Sequence, residues 1–226
     1  MIEWQANRLW YQSDDYRCFG VNIGQRMMIV RLESGELLIH NPTTLTEDIR
    51  QHIAKLGTVS IITTVNSHLH AALSDWWLAY PDAYFYSAPG LASVRTDIGF
   101  DGTLNSTTSP RWKGQLYQTI VRGNDRSEDV VFCDPLSKTL LFGESILWLN
   151  EGSLGRQLAG KLLGCHNQAS IPFYHQMSVK ERNLLRWSLQ EILTWPFEHI
   201  LPVHGDPIWF DGKKKLANAY AWLLGH

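Results

Sequence analysis

Two histidines separated by one residue, His68 and His70, close the segment Asn66-Ser67-His68-Leu69-His70. That segment follows Thr58-Val59-Ser60-Ile61-Ile62-Thr63-Thr64-Val65, a run that reads as a buried β-strand. Imidazoles at i and i+2 on extended chain project to the same side, so this pair can converge on one metal ion. A third histidine, His204, sits in Leu201-Pro202-Val203-His204-Gly205-Asp206-Pro207, again just past a short apolar run. If both strands belong to one sheet, their C-terminal ends bring His68, His70 and His204 to one cleft, where α/β proteins place their chemistry. His40, His52, His166, His175, His199 and His226 read as ordinary surface or core residues. Spacing alone does not supply the third and fourth ligands that a metal site needs.

The elements that must position these histidines can be read from periodicity. Early segments rich in β-formers, Arg8 to Tyr11 and Tyr16 to Phe19, precede a hairpin formed by Met27 to Leu32 and Glu36 to His40 around the Ser34-Gly35 turn. Thr44 or Thr46 can cap a helix that carries Leu45, Ile49, Ile53 and Leu56 and stops at Gly57. After the buried strand, a helix from about Ala71 to Tyr80, a strand from Ala83 to Tyr86 and a helix opened by Pro89 complete a β-α-β-α half. Strands near Leu116 to Val121, Asp129 to Cys133 and Thr139 to Phe142 follow. Helical patterns then run from Leu154 to Leu163, from Ser178 to Leu193 with Ser178 and Glu181 as a capping box, and from Leu216 to Leu224. Glu198 to Val203 is the strand that ends at His204. This order implies two sheets packed face to face with helices outside, an α/β sandwich.

Composition narrows the function classes. The 226 residues carry no linker or composition shift, which predicts a single domain over 1–226. A formal net charge of −2 argues against an extended nucleic-acid surface. The one basic run, Lys213-Lys214-Lys215, reads as the solvated first turn of the last helix. Cys18, Cys133 and Cys165 are few and scattered, which fits a reducing compartment. No leader-like start or membrane-length apolar run is present, so the expectation is a soluble cytoplasmic protein with a small-molecule substrate, no nucleic acid and no membrane. Ten tryptophans, scattered and not periodic, read as core or pocket lining.

Particular segments carry a family resemblance: Gln25 to Leu32 with Gly35 and Pro42, Leu56-Gly57, Asn66 with His70, Tyr80-Pro81-Asp82-Ala83, Ala88-Pro89-Gly90-Leu91, Ser137-Lys138-Thr139-Leu140 and His204-Gly205-Asp206. In order and spacing they resemble the metallo-β-lactamase fold superfamily, most closely its branch of uncharacterised metal-dependent hydrolases. The resemblance spans nearly the whole chain and implies a four-layer αββα sandwich. Laying the superfamily motif H-x-H-x-D-H on the chain puts Asn66 and His68 at the leading histidines, His70 at the aspartate and Ala71 at the last histidine. The third-motif histidine falls on Asn124, the bridging aspartate on Glu144, and the final histidine is retained as His204. The branch motif Asn-x-x-His-His matches Asn66, Leu69 and His70, again with one histidine missing.

The resemblance therefore implies at most a reduced metal centre, with His68, His70, Glu144 and His204 as its candidate ligands and Asp134 or Asp75 within reach. One divalent ion, zinc with iron or manganese as alternatives, would activate a water for attack on a small ester, thioester or related substrate. Glu144 reads equally as a ligand or as an ordinary hydrogen-bonding carboxylate. Asp206 either orients an imidazole or ends its strand. The losses at Asn66, Ala71 and Asn124 carry the other reading, a degenerate member that binds a ligand or partner without turnover.

Overall fold

The computed structural model describes residues 1–126 and 128–225. His226, read from the sequence as an ordinary histidine, lies outside them. The chain opens with β1 (Ile2–Gln5) and β2 (Leu9–Asp14), then a small hairpin, β3 (Arg17–Cys18) and β4 (Val21–Asn22), then β5 (Gln25–Arg31) and β6 (Glu36–His40). Next come α1 (Glu47–Leu56), β7 (Thr58–Thr63), α2 (Leu73–Ala79), β8 (Tyr84–Ser87), α3 (Leu91–Val94) and β9 (Gly102–Thr103). The second half holds β10 (Tyr117–Val121), β11 (Asp129–Asp134), β12 (Thr139–Phe142), α4 (Leu154–Leu162), α5 (Phe173–Met177), α6 (Arg182–Thr194), β13 (His199–Pro202), α7 (Gly212–Ala219) and α8 (Ala221–Leu224).

Seven strands form one sheet in the order β1-β2-β5-β6-β7-β8-β9, and four form a second in the order β10-β11-β12-β13. Period-two alternation builds three apolar layers from them. Met28 and Val30 of β5 meet Val130 and Phe132 of β11 between the sheets. Met27 and Ile29 point the other way, under Ile49, Ile53 and Trp76 of α1 and α2. Val131 and Cys133 of β11 pack outward against Leu185, Leu189 and Ile192 of α6. The result is the expected four-layer helix, sheet, sheet, helix sandwich.

Local signals explain most element ends. Thr46 caps α1 by accepting from the Ile49 amide at 3.3 Å, with Glu47 and Asp48 in the first turn and Lys55 in the last, complementing the helix dipole. The expected capping box at Ser178 and Glu181 does not form: α6 starts at Arg182 with Glu181 at its N-cap, and Ser178 caps the preceding α5, its hydroxyl donating to the Tyr174 carbonyl at 2.8 Å. That short helix was not visible as a period, since five residues give too little repeat.

Buried Arg26 fastens the two sheets at the end that carries His204. From the start of β5 it donates through Nη1 to the Pro202 carbonyl and through Nη2 to the Gly205 carbonyl at 2.9 Å, while its own amide donates to Val203 at 2.8 Å. At the opposite end, buried Arg8 pairs with Asp134 at 2.8 Å. Asp134 closes β11, about 17 Å along the strand from Asp129. It belongs to that pair, so the expectation of Asp134 within reach of the histidines is corrected. Replacing Arg26 by Met should leave two carbonyls without a donor and lower stability by about 2–4 kcal/mol, read as a lower urea midpoint with an unchanged slope.

Candidate functional site

Asn66 stands just past β7 and organises the mouth of the sandwich. Its side-chain oxygen accepts from the amides of His68 at 2.9 Å and Leu69 at 3.1 Å, an Asx turn that reverses the chain as it leaves the sheet. Its amide nitrogen donates to Asp129 Oδ1 at 3.0 Å and to Glu144 Oε1 at 2.9 Å. Asp129 opens β11, and Glu144 follows β12, its backbone amide donating to Asp129 Oδ2 at 2.9 Å. Gly143 permits this approach, because a Cβ there would lie 2.1 Å from Asp129 Oδ2.

Two cavities lie nearby, with Tyr16 common to both. The smaller, of about 30 Å³, is lined by Tyr16, Arg126, Glu144, Tyr174, His175 and His204 among others. The larger, of about 410 Å³, takes in Asp14, Asp15, Tyr16, His68, His70 and Asp75. Tyr16 borders both, and its ring stacks on His204 at 4.7 Å. The candidate ligands are thus divided, His204 and Glu144 in one cavity, His68 and His70 with Asp75 in the other. Among the described residues, no group of three or more His, Cys, Asp or Glu side chains is placed to hold a metal ion.

Hydrogen bonds set what each imidazole can offer. His204 Nδ1 donates to the Gly24 carbonyl, which leaves the Nε2 lone pair free when the ring is neutral. His68 Nε2 donates to the Arg126 carbonyl, so that nitrogen has no lone pair to give. At His70 the Nδ1 lone pair faces Arg95 Nη1 at 3.3 Å, and Arg95 also donates to the His70 carbonyl at 2.9 Å. Burial and this cation both hold the His70 pKa below its ordinary value. Asp206 lies beyond the end of β13, where it accepts from the Asn150 and Glu151 amides at 2.7 and 2.9 Å and pairs with Arg156 at 2.8 Å.

Three participants were not legible in advance. His175 is 3% exposed and lines the smaller cavity, and its Nδ1 has no hydrogen-bond partner among the described residues. Asn124 holds that segment, donating to the His175 carbonyl at 3.1 Å. Asp129 is the third, and a carboxylate directly ahead of the apolar run Val130-Val131-Phe132-Cys133 was the signal that could have marked it. Burial, and then the Asp129 charge, push the Glu144 carboxyl up to about 7. Burial pushes His204 down to about 4 and lowers His175 as well. A carboxyl that titrates near neutrality beside two imidazoles kept neutral can give or take a proton at pH 7.

No protein-family model matches the chain, and no curated protein matches it by sequence. Solved structures do match in shape. A metallo-β-lactamase from Pontibacter korlensis is 15% identical and superposes with a TM-score of 0.67, over 100% of this chain and 98% of that one. The metallo-β-lactamase FIM-1 from Pseudomonas aeruginosa, in a mono-zinc form, is 11% identical with a TM-score of 0.64, over 98% and 92%. A metallo-β-lactamase from Hirschia baltica is 13% identical with a TM-score of 0.63, over 97% and 95%. The fold is shared along the whole length.

The perturbed groups give a pH signature. His204, and His40 held near 3 by burial, bind protons more weakly in the fold than in the unfolded chain, so stability should fall as pH drops from 6.5 toward 4, by on the order of 3 kcal/mol for His204 alone. Glu144 opposes them, because between 4.5 and 7 the fold retains a proton that the unfolded chain releases, a contribution lost as pH rises. Glu144→Gln should therefore steepen the acid-side loss and stabilise the protein at pH 8 by roughly 1–3 kcal/mol. Urea midpoints of both proteins from pH 4 to 8 check this. Gly143→Ala should displace Asp129 and cost about 2–4 kcal/mol in the same assay.

Proposed function

We propose that this chain uses the metallo-β-lactamase fold to bind a small molecule at the mouth of its two sheets, without metal-dependent turnover. The observation that carries this reading is the Asn66 amide, which donates to Asp129 and Glu144 at 3.0 and 2.9 Å. A cation bridging two carboxylates neutralises them, whereas here a neutral amide satisfies one oxygen of each and the proton-holding tendency of Glu144 limits the charge. The donor set does not fit a resident metal: Glu144 is engaged by Asn66, His68 Nε2 by the Arg126 carbonyl, and His70 by a guanidinium.

A second reading, a metal-dependent hydrolase of a small ester or thioester, draws on one observation. His204 keeps an Nε2 lone pair free and lines one cavity with Glu144, with its other nitrogen fixed by a backbone carbonyl, an arrangement common to metal-ligating histidines. Under that reading His68, His70, Glu144 and His204 supply ligands after rearrangement, to one zinc, iron or manganese ion.

Elemental analysis separates the two. Protein purified without added metal, then incubated with zinc, iron(II) or manganese and desalted, should retain well under one equivalent, and Glu144→Gln should retain the same. Stoichiometric metal in the wild type, lost in Glu144→Gln and kept in Glu144→Asp, would establish the hydrolase reading instead.

A further inference from the structure

Beside the polar cavity at His204 lies an apolar one of about 190 Å³, between the β3–β4 hairpin and α4. Val21, Leu147, Ala159, Leu162 and Leu163 form much of its wall. Cys18, Ile23, Leu147 and Tyr174 line both cavities, so the two adjoin. An apolar cavity of about 150 Å³ accommodates a benzene ring, so this one has room for about six to eight carbons. The 30 Å³ polar cavity has room for about two water-sized atoms, the size of a carboxylate.

The rim carries an independent sign of use. Phe19 and Gly20 connect β3 to β4 with φ of 49° and 79°, a two-residue turn with both residues left-handed. Gly or Asn usually takes such positions, and an aromatic residue there costs on the order of 1 kcal/mol. Phe19 nevertheless occupies it with its side chain 86% exposed, while lining the apolar cavity opposite Leu162, itself 78% exposed. The Phe19 ring meets Tyr174 edge-on at 6.2 Å, and the rest of this strained, exposed side chain borders the apolar cavity, where a ligand would cover it. In the polar cavity the Arg126 guanidinium, stacked on Tyr174 with 5.5 Å from its carbon to the ring centre, and the Tyr16 and Tyr174 hydroxyls can donate to a carbonyl or carboxyl oxygen, and Glu144 and the neutral His204 ring beside them can accept from its proton.

We infer that the ligand is a medium-chain carboxylate or acyl compound, with its carbonyl end in the cavity lined by Arg126, Tyr16 and His204 and its alkyl chain of about six to eight carbons between the β3–β4 hairpin and α4. This rests on the binding role proposed above and names its ligand class.

Calorimetric titration of the full, metal-free chain with butanoate, octanoate and octylammonium tests it. Octanoate should bind at least tenfold more tightly than butanoate and than octylammonium. Ala159→Trp and Val21→Trp fill the apolar cavity from opposite walls, and each should weaken octanoate at least tenfold with little effect on butanoate. Phe19→Asn should raise the melting temperature, by relieving the turn, while weakening octanoate severalfold. Equal affinity for butanoate and octanoate, octylammonium binding as well as octanoate, or octanoate affinity unchanged in both filled variants would each overturn the inference. Stoichiometric metal in the protein together with an intact chain-length dependence would overturn the binding-only function and support this assignment of the cavity.

Discussion

One neutral amide holds the mouth of this sandwich together. Asp129 and Glu144 converge from the start of one strand and the end of its neighbour in the second sheet, and Asn66 reaches them from the end of β7 in the first. In a partly buried setting two carboxylates this close repel, and the arrangement persists because each is given a donor and because Glu144 retains its proton up to near neutrality. The same Asn66 spends its oxygen on the turn that carries His68 and His70 away from the sheet. A single side chain thereby decides both where the two carboxylates sit and where the two histidines go.

That division explains why spacing was a good guide to the fold and a poor one to the site. The buried strand before Asn66, the strand ending at His204 and the helix capped by Thr46 were legible because alternation and capping are local properties of the chain. Convergence of side chains is not local. His68 and His70 satisfy the i, i+2 rule, yet the Asx turn at Asn66 breaks the extended conformation that the rule assumes. His175 lay in a segment with no period to read, and its burial follows from the Asn124 contact, 51 residues away in sequence.

The two cavities also differ in character. The larger, flanked by Asp14, Asp15 and Asp75, borders His70, which keeps Arg95 behind it. The smaller is bordered by Tyr174 and His175 of α5, in the insert that follows β12. Asp206 anchors that insert through the Asn150 and Glu151 amides and Arg156, so the residue after the His204-Gly205 turn ties the insert to the sheet.

The Arg26 clasp has a consequence for the order in which the molecule is made. Its partners lie 176 and 179 residues further along the chain, so the contact closes a loop of nearly the whole protein. The entropy of closing such a loop grows only slowly with length, but it must be met before the contact contributes anything. During synthesis, every strand of the first sheet is made before the residues that Arg26 holds. The mouth cannot form then, because the Gly24 carbonyl has no His204 to accept a hydrogen bond from and Arg26 has no carbonyls to hold. The mouth therefore forms only after strands of both sheets have been made.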